Sequence, residues 1–201
     1  MANKKISELT LFSTANITDQ IPVNRAGMNG KLTVASLGGF SHYIGESYGG
    51  GVIFHLWKDS SGVEHGLITS IVDLGTTSVF SNITTSLGTT TTWNGQANTN
   101  LIKAQGGATS GAWKLCDDYT YSGYSDWYLP AVDEFSLLGQ NRFNVNKTLS
   151  TIVGASSIGA FIYWTSTESA GTNAWAYLSG NLYVSEQGKS SAGKVRAIRQ
   201  F

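Results

Sequence analysis

Hydrophobic and polar positions change rhythm along the chain, and the changes mark out its elements. Within residues 1–47, two brief alternating pieces, Ile21-Pro22-Val23 and Lys31-Leu32-Thr33-Val34, are broken by Asn, Gly and Pro. This segment carries too little apolar material for a core of its own. It reads as an extended N-terminal β-arm that orders on a partner, or as a strand-adding extension of the main domain. From residue 48 the apolar positions thicken. Residues 52–57 and 65–72 predict two strands around a turn at Asp59-Ser60-Ser61-Gly62. A Thr-, Ser- and Gly-rich stretch, 75–94, predicts a loop.

Residues 98–119 space Leu101, Ile102, Ala108, Ala112, Leu115 and Cys116 as a helix broken near Gly106-Gly107. Pro130 is placed at the first position of a second helix, with Val132, Phe135 and Leu138 on one face. Residues 144–154 suit a third short helix, and 163–201 return to short strands with Gly turns. The order is strands, helices, strands. That predicts an α+β head over residues 48–201, preceded by the arm over residues 1–47.

Composition removes several function classes. At 201 residues the chain suits one domain with an appendage, and its charged fraction of 13% is low. Lys+Arg and Asp+Glu balance at 13 each without a basic stripe, which argues against a nucleic-acid partner. No apolar run approaches the ~18 residues of a membrane span, so membrane insertion is not expected. "MANKKISELT" lacks the apolar stretch of a signal peptide, so folding in a reducing cytoplasm is expected, and the sequons at Asn16, Asn82 and Asn146 carry little weight. Cys116 has no partner for an intrachain disulfide and reads as a small buried helix residue.

Chemistry-bearing motifs are sparse. His42, His55 and His65 do not have metal-ligand spacing, no nucleophile elbow is present, and Gly49-Gly50-Gly51 precedes a strand, not a helix. Neither a metal, a cofactor nor a catalytic residue is expected. The carboxylates Asp126, Asp133 and Glu134 lie close together in "YSDWYLPAVDEFSLL". With no partnered His near them, Asp133 and Glu134 read as solvated first-turn acids favoured by the helix dipole.

Three ordered pieces, "GGGVIFHLWKDSSGVEHGLIT", "SDWYLPAVDEFSLL" and "YWTSTESAGTNAWAYL…GKVRAIRQF", resemble a bacterial and phage C-type-lectin-like family. That family includes the C-terminal domain of Legionella collagen-like adhesins and is related in fold to formylglycine-generating enzymes and retroelement variable proteins. The resemblance spans residues 48–201. It implies a C-type-lectin-like domain with Trp127, Leu129 and Trp164 in the core, and Arg196 and Arg199 in structural hydrogen bonds. The enzyme branch holds copper with two cysteines, which Cys116 alone cannot supply, and the calcium-ligand runs of animal lectins are missing. Separately, "ISEL…ITDQIPVNRAGMNGKLTVASL" resembles the N-terminal attachment segment of bacteriophage fibre and other virion appendage proteins.

A candidate binding surface emerges from "NAWAYLSGNLYVSE". Setting Leu178 opposite Leu182, across a loop of Ser179-Gly180-Asn181, gathers Ala174, Ala176, Leu178, Leu182 and Val184 on one face. The other face then shows Trp175, Tyr177 and Tyr183 together, with Asn173, Ser185 and Glu186 as polar neighbours. Such a face serves recognition, a subunit contact or the core. The expectation is a non-enzymatic virion appendage protein, a fibre or head decoration. Its arm would bind other virion structural proteins, its head would hold host-surface or mucus glycans or proteins weakly, and a homotrimer would supply avidity. Its place would be the virion surface after synthesis in the host cytoplasm, or otherwise a bacterial cell surface. The alternatives are a purely structural decoration protein and a variable receptor binder of the diversity-generating-retroelement type.

Overall fold

The computed structural model describes residues 20–25, 28–33 and 39–201. It divides into a unit of residues 1–41 and a unit of residues 42–201. In the first, strand β1 (Gln20–Arg25) pairs antiparallel with β2 (Met28–Thr33), Ile21 opposite Leu32 and Val23 opposite Gly30. Pro22 is tolerated because, in a sheet of two strands, each strand has an outer edge needing no ladder bond. The remainder of the attachment motif, including the "ISEL" stretch, lies outside the described residues.

The second unit combines two small antiparallel sheets with four helices. Strands β3 (Ser47–Tyr48), β4 (Gly51–Lys58), β5 (Glu64–Thr69) and β9 (Ile198–Gln200) form one sheet in the order β3-β4-β5-β9. Strands β6 (Ile162–Ala170), β7 (Asn173–Leu178) and β8 (Tyr183–Gly188) form the other. Between them come α1 (Gly95–Lys103), α2 (Ala112–Asp117), α3 (Val132–Gln140) and α4 (Arg142–Leu149). Residues 42–47, assigned to the arm from sequence, pack with this body. Gly45 N–H donates to the Ile53 carbonyl at 2.8 Å and Ile53 N–H returns a bond to Glu46 at 2.9 Å.

Two hydrophobic clusters flank the β4-β5 region. Ile53 and Ile68 join Phe80, Trp113, Trp127 and Trp164 on one side. Val52, Phe54 and Leu67 join Phe135, Leu138, Tyr163 and Tyr177 on the other. The unbroken run Val52-Ile53-Phe54 is the signature of a strand covered on both faces. A register shift between Ile53 and His55 then re-aims the outer half of β4, so that His55 faces Leu67 and Trp57 faces His65.

The expected helices are present, with shifted ends. Residues 104–111 interrupt the first helical region, and Cys116 is buried in α2. Pro130 is not the first helical residue, because α3 starts at Val132 with Ala131 as its N-cap. Pro130 instead supplies a carbonyl, accepting Ser166 N–H at 2.7 Å and tying the helix entry to β6. Val132, Phe135 and Leu138 share the buried face of α3, as their spacing predicts.

Residues 193–201 lace the body together. Ser70, Leu74 and Ser78 each donate a backbone bond of 2.8 Å to Ala197, Val195 and Gly193 respectively, and Tyr128 and Ile198 exchange a pair. Within this segment the Arg196 guanidinium, fully buried, donates to the carbonyls of Ser70 (2.9 Å) and Ser156 (2.8 Å) and pairs with Asp73 at 2.9 Å. Arg199 grips Asp126 with two bonds of 2.7 and 2.9 Å and lies over the Tyr124 ring. Asp126 is thereby a structural anchor, its carboxyl held below the usual range chiefly by those bonds.

Candidate functional site

The hairpin proposed from sequence takes a different register. Leu178 lies opposite Tyr183, not Leu182, and the loop grows to four residues, 179–182. Leu182 is drawn into the turn at φ 59°, where its N–H closes on the Leu178 carbonyl at 2.9 Å. The cause is distant in sequence. Ser179 is fully buried, and its hydroxyl and amide bond to the backbone of Gly159 and Phe161 while Arg142 takes its carbonyl. That anchor fixes where the turn begins.

One residue of slip exchanges the two faces of a strand. Trp175 and Tyr177 therefore share a face with Val184 and Glu186, while Tyr183 and Ser185 lie with Ala174, Ala176 and Leu178. Tyr177 is 3% exposed and packs on Phe135, so it belongs to the core. Tyr183 is 47% exposed on the opposite side. Asn173, Trp175 and Ser185 are half-buried and Glu186 is exposed. The aromatic trio is not assembled.

A different aromatic group is. Four separate stretches meet at a cleft of about 270 Å³: His55, Trp57 and Leu67 from β4 and β5, Trp93 and Asn94 before α1, Asp133, Glu134 and Leu137 from α3, and Gln200 from β9. A larger depression of about 540 Å³, between Gly139 and Ser150, is lined by helix-surface residues and Leu182 and holds no buried titratable group. Chemistry concentrates in the smaller cleft.

Trp93 is 71% exposed, yet the backbone around it is fixed. Thr91 accepts through its carbonyl from Thr167 and Asn98, both at 2.8 Å, and its hydroxyl receives Asn94 N–H at 3.0 Å. The Thr92 carbonyl receives Asp133 N–H at 2.8 Å. Asn94 caps α1 by accepting Ala97 N–H at 2.9 Å. The indole therefore stands on a rigid base. On β4, Trp57 stacks between His55 (ring centroids 5.8 Å apart) and His65 (5.5 Å). Desolvation holds the His55 imidazole below its ordinary range, so it is the neutral ring at pH 7.

Glu134 is the hinge of the cleft. Ala131 has no side-chain acceptor with which to cap α3, so Glu134 reaches back and accepts Ala131 N–H at 2.7 Å, half of a capping box. The same oxygen accepts Gly95 N–H at 3.0 Å, at the start of α1, and the other oxygen accepts the Tyr128 hydroxyl at 3.0 Å. Gly95 has to be glycine, because a Cβ there would meet the Leu129 carbonyl oxygen at 2.4 Å and Ala131 N at 2.5 Å. Glu134 is 6% exposed, contrary to the solvated first-turn acid expected from sequence. Burial pushes its carboxyl up to about 7 against the opposing pull of those three donors. The Tyr128 hydroxyl is raised by burial and by the carboxyl beside it. Asp133, next to it, is the exposed acid that was expected.

Trp57, Trp93 and Gln200 were not singled out from sequence, and Glu134 was read there as a solvated acid, not as part of a cleft. A faint signal existed for Trp57, since His55, Trp57 and His65 fall on one side of a predicted hairpin. Among the described residues no group of three His, Cys, Asp or Glu side chains is placed to hold a metal ion. The arrangement supplies flat apolar faces beside carboxylate, amide and imidazole groups.

No curated protein matches the chain. Residues 82–199 match the family described as the Lcl C-terminal domain, a stretch that carries Trp93, Asn94, Asp133 and Glu134 but stops short of β4 and β5. The matched stretch is more than half of the chain, and the chain belongs to the Lcl C-terminal domain family.

Proposed function

We propose that the protein is a non-enzymatic recognition protein whose head binds saccharides weakly through the Trp57–Trp93 cleft. The observation that carries this is Trp93, a large apolar side chain exposed on a backbone pinned at Thr91, Thr92 and Asn94. Holding an indole in water at a rigid position gives nothing to folding, while a preformed aromatic face loses little entropy on binding. Trp57, half-buried between its two histidines, borders the same cleft, and Asp133, Asn94 and Gln200 form the polar rim that sugar hydroxyls require. The C-type-lectin-like assignment of the head and the virion-appendage role of the arm rest on the two resemblances, to the adhesin family and to fibre attachment segments. In that setting many copies, arranged as trimers on a virion surface, would turn weak single-site binding into stable attachment to host or mucus glycans.

Trp93→Ala is the test. Its ring is mostly in water, so the variant should melt within about 1–2 °C of the parent, a surface change being worth roughly 0.5 kcal/mol or less. It should nonetheless lose binding on a glycan array, as should Trp57→Ala. A folded Trp93→Ala variant that still binds the same glycans removes the cleft from the reading.

A second reading, a structural virion protein, is favoured by Phe143, Leu182 and Phe161, large apolar side chains exposed near α4 and the β7–β8 turn. They suit a subunit contact. Their replacement by Ser would then dissociate the oligomer and leave glycan binding untouched.

A further inference from the structure

The charge lining the cleft goes further than its shape. Asp133 and Glu134 lie on it, and neither lysine nor arginine does. His55, the one basic group there, is kept neutral by desolvation. No hydrogen bond or ion pair from another described residue reaches the Asp133 carboxylate, whose backbone alone ties it to Thr92. Glu134, over nine-tenths buried, has three donors on a carboxylate that offers about four acceptor positions, which leaves one open on the oxygen shared with Tyr128. Beside these acceptors stands the exposed indole of Trp93, and tryptophan ring faces attract cations more strongly than those of any other side chain.

We infer that the cleft selects a saccharide carrying a free primary ammonium group, a glucosamine-type amino sugar, over its neutral N-acetylated counterpart. This rests on the saccharide reading of the same cleft. The C–H face of the hexose stacks on Trp93, as for any sugar, while the ammonium donates to Asp133 and to the open position on Glu134. A quaternary ammonium would find a poorer site. It has no N–H to donate, and two indoles do not make the closed aromatic cage such ligands require. The approaching ammonium favours the ionised carboxylate of Glu134, whose proton is released to solvent, and this completes the counter-charge.

The test is calorimetric titration of the whole protein near pH 7 with a β-1,4-linked glucosamine tetrasaccharide, its fully N-acetylated form, and choline. The free amine should bind at least about tenfold tighter than the acetylated form, the lower end of what a charge-assisted hydrogen bond contributes. Trp93→Ala should abolish binding. Asp133→Asn should bring the preference between the two tetrasaccharides toward unity while leaving the melting curve in place, since the side chain is solvent-exposed. Equal affinity for both tetrasaccharides overturns the ammonium inference and leaves the saccharide reading standing. Choline bound as tightly as the amino sugar also overturns it, as does amino-sugar binding unaffected by Trp93→Ala, which would be diffuse charge attraction. Absence of binding to these sugars and to every glycan on an array defeats the saccharide reading itself.

Discussion

Replacing Lys189 by Met tests the least expected polar feature of the head. The Lys189 ammonium is buried and surrounded by acceptors: the Glu168 carboxylate, the Thr85 carbonyl at 2.6 Å and the Gly171 carbonyl at 2.7 Å. Its three protons have three partners. Glu168 in turn accepts Leu87 N–H at 2.8 Å and Thr89 N–H at 3.0 Å, so the pair staples the 85–89 loop to β6. Met fills the space of the lysine stem but leaves a buried carboxylate without its counter-charge and two carbonyls without donors. Removing one partner of such a pair costs about 3–5 kcal/mol. For a body of this size that lowers the melting temperature by about 10 °C. The assay is thermal and urea unfolding of the parent, Lys189→Met, Glu168→Gln and the double variant. Because Glu168→Gln deletes the buried charge while its one carbonyl oxygen still accepts one of the Leu87 and Thr89 N–H groups, the double variant should be more stable than Lys189→Met alone. A single-variant loss below about 1 kcal/mol, or purely additive losses, would refute the reasoning.

Three more outcomes rest on packing and charge. Glu134 titrates near its ordinary 4.5 in the unfolded chain and at about 7 in the fold, so the native state binds the extra proton between those values. Its stabilising share is therefore complete below about pH 4.5 and lost as pH rises through about 7, some 3 kcal/mol in all. Glu134→Gln should flatten that slope in urea melts taken across the window, and a slope unchanged by the variant would count against the burial argument. In α3, Gly139→Ala would ordinarily gain up to about 1 kcal/mol of helix propensity. Its Cβ, however, would meet the Tyr177 hydroxyl oxygen at 2.1 Å, so overpacking of about 1–3 kcal/mol should win and the variant should melt lower. Tyr177→Ala should cost about 3–5 kcal/mol in the same melts, and an unchanged midpoint would show the residue is not core.

Much of the fold is legible from local pattern. The Asp59–Gly62 turn, the buried face of α3, the break between α1 and α2, and the structural roles of Arg196 and Arg199 all follow from spacing or motif. What local pattern misreads is decided at long range. The β7–β8 register hangs on bonds from Ser179 to Gly159 and Phe161, and a two-residue period cannot tell one register from its neighbour. Glu134 looks like a solvated helix-start acid until Gly95 and Tyr128 are brought to it. Lys189 and Glu168 carry no sequence mark of burial, since charged residues are normally outside. The cleft escaped notice for the same reason: its two indoles come from β4 and from the residue before the N-cap of α1, which only the fold makes neighbours.

The lacing by residues 193–201 also governs how the head is reached from the unfolded chain. β5 gains its second neighbour only from β9, Arg196 ties down Ser70 and Ser156, and the backbone at Tyr128 closes only onto Ile198. These pairings join stretches synthesised early to stretches synthesised late, and loop-closure entropy has to be met before they return anything. A growing chain released up to β8 would expose both apolar clusters and an unpaired β5 edge, the species most prone to aggregate. Folding of the head is thus expected to be slow and late, completing only when those last strand residues arrive.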